Sequence, residues 1–125
     1  MKRRARPLLL VWKMVLILSI FCCLYPRMSF ATSPQDVKLA YDAGTQELTV
    51  TITHPSAFPS HHYIKYVAIT KNGADVIKNT YENQPDTDTF AYTYKVPAAD
   101  GEMLEVTATC SWYGHKTVNM TVDKK

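Results

Sequence analysis

Two rows of alternating side chains constrain this chain more than any other feature in it. Over residues 47–54, Leu48, Val50, Ile52 and His54 fall on one face, and Thr49, Thr51 and Thr53 on the other. Over residues 104–112, Leu104, Val106, Ala108, Cys110 and Trp112 fall opposite Glu105, Thr107, Thr109 and Ser111. A period of two places apolar residues on one face of a pleated strand, whereas a helix would need them at spacings of three and four. Both rows predict half-buried strands. Each also carries a metal-ligating residue type near its end: His54 just before Pro55, and Cys110 shortly before Gly114.

The rest of the chain after residue 31 follows the same logic. Segments 36–41, 62–70, 74–81, 89–96 and 116–122 read as further strands, with Phe90, Tyr92, Tyr94 and Val96 sharing one face and Val118, Met120 and Val122 pointing inward. Asn72-Gly73 between two such runs is a strong short-range hairpin signal, because both residues tolerate the positive φ of a type I′ turn. Residues 42–45 and 97–101 are turns, 82–87 is a polar loop, and the lead-in 32–35 is expected to be mobile. About seven short strands with no helical periodicity predict an all-β fold, a single immunoglobulin-like antiparallel β-sandwich.

The first 31 residues are of another kind. MKRRAR is a positively charged start, and LLLVWKMVLILSIFCCL is apolar apart from Lys13. Ser29 and Ala31 supply small residues at the −3 and −1 positions of a cleavage site. This is the layout of a secretory signal peptide, so residues 1–31 are expected to be removed and residues 32–125 to form a periplasmic or secreted domain. The uninterrupted apolar run from 14 to 24 has 11 residues, too short to span a bilayer comfortably. The alternative is an uncleaved N-terminal anchor, with Lys13 snorkelling to the interface.

Cleavage changes the charge. Residues 1–31 hold six of the 14 Lys and Arg and none of the 11 acids, so the remaining 94 residues carry eight bases against eleven acids, net −3 rather than +3. The basic balance of the whole chain belongs to the leader. It excludes a nucleic-acid footprint, which requires a basic patch on the folded domain. Cys22 and Cys23 leave with the leader, and Cys110 is then without an internal disulfide partner. It is a free thiol, an intermolecular bridge or a metal ligand.

Three of the four histidines, His54, His61 and His62, lie in one loop-and-strand-end segment, and His115 lies five residues after Cys110. Four imidazoles and one thiol in two strand-end segments point to a metal site. Other readings stand beside this one. Cys110 on a core-facing row also behaves as a small buried hydrophobe, and His54 also serves as a loop residue capping a carbonyl. His61 and His62 are adjacent, so within a strand they point to opposite faces and only one naturally joins His54.

His54-Pro55, six residues, then His62-Tyr63-Ile64, a strand reaching Asn72-Gly73, and a later strand ending Cys110-Ser111 with Gly114 beyond, together resemble the iron-binding domain of desulfoferrodoxin and superoxide reductase. The resemblance covers residues 36–122. It implies the immunoglobulin-like sandwich and a non-haem iron, cycling between Fe2+ and Fe3+, on four equatorial imidazoles and one axial cysteine thiolate. The implied activity is one-electron reduction of superoxide to hydrogen peroxide, with an electron donor that the sequence does not name; on the charge and leader readings above, no nucleic acid and, after signal cleavage, no membrane is expected as a partner. His54, His62 and Cys110 match three of the ligands. Tyr113 stands where the family has a histidine, and neither the family's first histidine nor the lysine before it has a counterpart between residues 32 and 53. His61 and His115 are the residues available to restore four imidazoles. With His54, His62 and Cys110 alone, zinc or copper suits the donor set as well as iron. The alternative function is a metal-free immunoglobulin-like binding module that retains the fold only; metal carriage or electron transfer without turnover lies between. The metal readings require the two imidazole nitrogens and the Cys110 sulfur to lie within roughly 4–5 Å of one another.

Overall fold

The structure is a computed structural model that describes residues 7–23 and 33–124. The chain divides into two compact units, Met1–Phe30 and Ala31–Lys125. In the first, α1 (Pro7–Cys23) is a helix of 17 residues. Among the described residues no helix is long and apolar enough to cross a membrane. The cleavage segment expected at 29–31 lies outside the described residues.

In the second unit the two alternating rows become neighbours in a sandwich. The strands are β1 (Asp36–Asp42), β2 (Glu47–Thr53), β3 (Ile64–Lys71), β4 (Ala74–Thr80), β5 (Thr89–Lys95), β6 (Met103–Cys110) and β7 (His115–Thr121). One sheet has the order β1-β2-β5 and the other β4-β3-β6-β7, with every pairing antiparallel. The fourth strand stays in the sheet of the third, because Asn72 (φ 49°) and Gly73 (φ 83°) turn the chain straight back on itself. Leu48, Val50 and Ile52 of β2 share one buried core with Leu104, Val106 and Ala108 of β6, Val67 and Ile69 of β3, and Phe90 and Tyr94 of β5. Burying a Val, Leu or Ile side chain is worth about 1.5–3 kcal/mol each, so these rows are the main source of stability in a domain without a disulfide.

Three local features depart from the sequence reading. The described part of the lead-in, residues 33–35, is anchored rather than mobile: Gln35 N–H donates to Thr53 O at 2.8 Å, which continues the β1–β2 ladder, and Pro34 is buried. Trp112 does not continue the core row of β6. The strand ends at Cys110, whose N–H donates to Gly114 O at 3.0 Å, and this closes a tight loop that leaves Trp112 51% exposed. β3 begins at Ile64 rather than His62, and a bulge follows at once. Ile64 pairs with Cys110 but Tyr66 pairs with Thr109, so Lys65 is an extra residue in the ladder. The bulge resets the alternation, and buried residues then recur as Ile64, Val67 and Ile69.

Candidate metal centre

The histidine segment and the cysteine loop meet at one end of the sandwich because β3 and β6 are hydrogen-bonded neighbours. His54 follows the last residue of β2, and its N–H still bonds Asp88 O at 2.8 Å. His62 lies two residues before β3, and Cys110 is the last residue of β6. Ser111 N–H donates to Tyr63 O at 2.8 Å and Tyr63 N–H donates to Ser111 Oγ at 3.1 Å, which ties the cysteine loop to the approach of β3. The segment between the histidines is folded on itself. Ser56 Oγ donates to His62 O at 2.6 Å, and the N–H groups of His61 and His62 both reach Phe58 O at 2.9 Å. Bulges are common beside functional sites because they re-aim a side chain, and the one at Lys65 sits directly against the Ile64–Cys110 pair.

The result is a convergent trio. One ligand atom from each of His54, His62 and Cys110 lies within 4.8 Å of the others. His62 Nε2 is 3.1 Å from Cys110 Sγ, and the two imidazoles meet edge to face with ring centroids 4.6 Å apart. With metal–ligand bonds of about 2.0–2.3 Å, two donors on one ion stand roughly 3–4.5 Å apart, so the trio is near the size of a single coordination shell.

Each member is held by its surroundings. His54 is fully buried, and its Nδ1 lies 2.7 Å from Gln84 Oε1. His62 stacks on Trp112, with ring centroids 4.3 Å apart and planes 20° from parallel. Cys110 Sγ accepts the Trp112 backbone N–H at 3.4 Å, a contact that fixes the position of the sulfur. A divalent ion held by two neutral imidazoles and one thiolate would carry one net positive charge. Gln84 has no signal in the sequence. It sits in a polar loop without periodicity, and only its burial and bonding in the fold reveal it.

The convergent group does not include the two additional histidines, His61 and His115. His61 is exposed, with Nδ1 3.0 Å from Ser60 Oγ. His115 opens β7 directly opposite Thr109. Cross-strand partners share a face of the sheet, and Thr109 lies on the face opposite Cys110. His115 is therefore exposed on the outer face of that sheet, away from Cys110. Tyr113 is 78% exposed at the loop tip.

Fold and side chains together define an immunoglobulin-like β-sandwich with a His, His, Cys cluster at one end. No family model matches the sequence, and no curated protein matches it either. Solved structures similar to the chain include two variants of a superoxide reductase (neelaredoxin) from Ignicoccus hospitalis. One is 13% identical over 70% of this chain and 77% of that chain, with a TM-score of 0.46. The other is 14% identical over 78% and 86%, with a TM-score of 0.48. A superoxide reductase from Nanoarchaeum equitans is 13% identical over 72% of this chain and 91% of that chain, with a TM-score of 0.42.

Proposed function

We propose that this chain is an exported, superoxide reductase-like metalloprotein whose centre is His54, His62 and Cys110. The observation that carries the reading is the convergence of the three donors within 4.8 Å at the end of the sandwich. The sequence resemblance, which rests on the same three residues, makes iron the metal. The donor set fits that ion: a soft thiolate with borderline imidazoles suits a redox-active first-row metal, and zinc and copper share the preference. When bound, iron at a thiolate-ligated centre supplies the single electron that, with two protons from solvent, converts superoxide to hydrogen peroxide. Cys110 contributes the anionic donor and its electron density. His54 and His62 add no charge, so the centre attracts an anion. Trp112 covers one face of His62, and the half-exposed rim there offers an approach from solvent.

Export belongs to the same proposal. The charged start, the apolar segment of α1 and the small residues at 29 and 31 support removal of residues 1–31 and a periplasmic or secreted location. Mass spectrometry of the native protein tests it: a mature chain beginning at Thr32 is expected, and soluble protein that keeps Met1 or Lys2 would be evidence against export.

For the metal centre, the test is iron loading of wild type and Cys110→Ser, followed by metal stoichiometry and the visible spectrum of the oxidised protein. Wild type should hold one iron and show a sulfur-to-iron charge-transfer band, and the variant should lose both. Equal, negligible metal in the two proteins leaves the second reading, a metal-free binding module. That reading draws its support from the positions of His61 and His115, which leave two imidazoles where the iron family has four.

A further inference from the structure

We propose that Gln84 is a positioning residue for this centre: it holds the His54 ring in the tautomer and orientation that put the ring's lone pair on Nε2. The inference rests on the metal reading above and goes beyond it, because neither residue periodicity nor the resemblance assigns Gln84 any part. Gln84 is only 4% exposed, and every polar atom of its side chain is engaged. Its side-chain nitrogen donates to two backbone carbonyls, His54 O at 2.9 Å and Asp86 O at 2.8 Å. Carbonyl oxygens only accept, so the amide has one orientation. Turned over, it would press its oxygen against both of them. Oε1 therefore faces His54 Nδ1, at 2.7 Å, and an oxygen facing a ring nitrogen at that distance requires that nitrogen to carry the proton. A neutral imidazole protonated at Nδ1 has its lone pair on Nε2.

The same side chain grips the His54 backbone and the His54 ring, so it sets the direction of the ring as well as its tautomer. Its own backbone is tied to the histidine loop by Gln84 N–H donating to Pro59 O at 3.1 Å. Metal-bound histidines are commonly oriented through the second ring nitrogen by a carboxylate or carbonyl, and loss of such a partner typically weakens metal binding by about 10–100-fold. A neutral amide does this work here without adding an anion to a buried site, where an unpaired charge is costly.

The experiment uses the 15N-labelled protein without metal and cobalt(II) as the probe. Two-bond proton–nitrogen spectra report the His54 tautomer, and cobalt titration followed by its visible bands reports affinity. The variants are Gln84→Met, which removes all three side-chain bonds, and Gln84→Glu, which keeps an oxygen for Nδ1–H while losing the donor to the His54 and Asp86 carbonyls. The expected result is His54 protonated at Nδ1 in wild type and in Gln84→Glu, and mixed tautomers in Gln84→Met with cobalt affinity lower by about 10–100-fold. His54 protonated only at Nε2 in wild type overturns the inference, as does a Gln84→Met protein that binds cobalt as tightly as wild type. Should Gln84→Met fail to fold, the wild-type tautomer decides. Wild type that takes up no cobalt removes the metal reading and this inference together, whereas the other two results remove only the role of Gln84.

Discussion

His62 Nε2 stands 3.1 Å from Cys110 Sγ although the two residues are 48 positions apart in the chain. The contact exists because Ile64, two residues after His62, is the pairing partner of Cys110 in the β3–β6 ladder. It places an imidazole and a thiol within the reach of one ion, and it separates a ligand role from a packing role by experiment. His62→Phe keeps a flat ring against Trp112 and removes the nitrogens. The expected outcome is loss of stoichiometric metal with a change in stability within about 1 kcal/mol, measured by metal analysis and thermal unfolding.

Trp112 reports on the same site. Its ring lies 4.3 Å from that of His62, and the other tryptophan, Trp12, belongs to α1. In protein lacking residues 1–31, binding of a paramagnetic or redox-active metal should quench most of the tryptophan fluorescence. Trp112→Ala should cost on the order of 1 kcal/mol of stability through the lost ring pair. It should also weaken metal binding severalfold, because His62 loses the surface that orients it. Fluorescence and cobalt titration check both.

Gly114 closes the cysteine loop at φ +86°, and a Cβ built there would lie 1.8 Å from Ser33 Oγ and 3.2 Å from Ser33 Cα. Gly73 has a similar φ of +83° with nothing within 4 Å. Gly73→Ala should therefore cost only the left-handed backbone, about 1 kcal/mol. Gly114→Ala carries the same cost plus displacement of the lead-in from the loop, and should destabilise by about 2–4 kcal/mol and loosen metal binding. Denaturant unfolding of the pair isolates the difference.

The tyrosines of the sandwich predict how stability responds to alkali. Burial, and then the neighbouring Tyr81 phenol, push Tyr92 from 10.0 up to about 12. Burial, the hydrogen bond to Tyr81 at 2.6 Å, and the charges of Tyr81 and Tyr92 push Tyr94 higher still. Both groups hold their protons more tightly in the folded chain than in the unfolded one. Their contribution to stability is full below pH about 10 and falls as the pH rises from about 10 through 12, where the unfolded chain ionises first. Tyr81→Phe removes one of the two influences on Tyr92 and should lower the pH of its ionisation while leaving it above the ordinary value. Ultraviolet titration of the phenolate band measures the shift.

Much of this protein is local information and can be read from the chain. The rows Leu48-Val50-Ile52 and Leu104-Val106-Ala108 specify strands and their buried faces because side-chain direction in a strand depends only on parity. Asn72-Gly73 specifies a hairpin because those residues accept positive φ. The three ligand-type residues His54, His62 and Cys110 were legible as residue types near strand ends. What the sequence left open was which of them meet, since that depends on pairing between segments far apart in the chain. The β3–β6 register and the bulge at Lys65 bring His62 over Cys110, and the β6–β7 register sends His115 to the opposite face. Trp112 obeyed parity in the sequence, yet the loop closed by Cys110 N–H and Gly114 O turned it outward against His62. Gln84 belongs wholly to the tertiary structure: a polar residue in an aperiodic loop becomes the partner of His54 only when folding buries it and each of its polar atoms must find a bond.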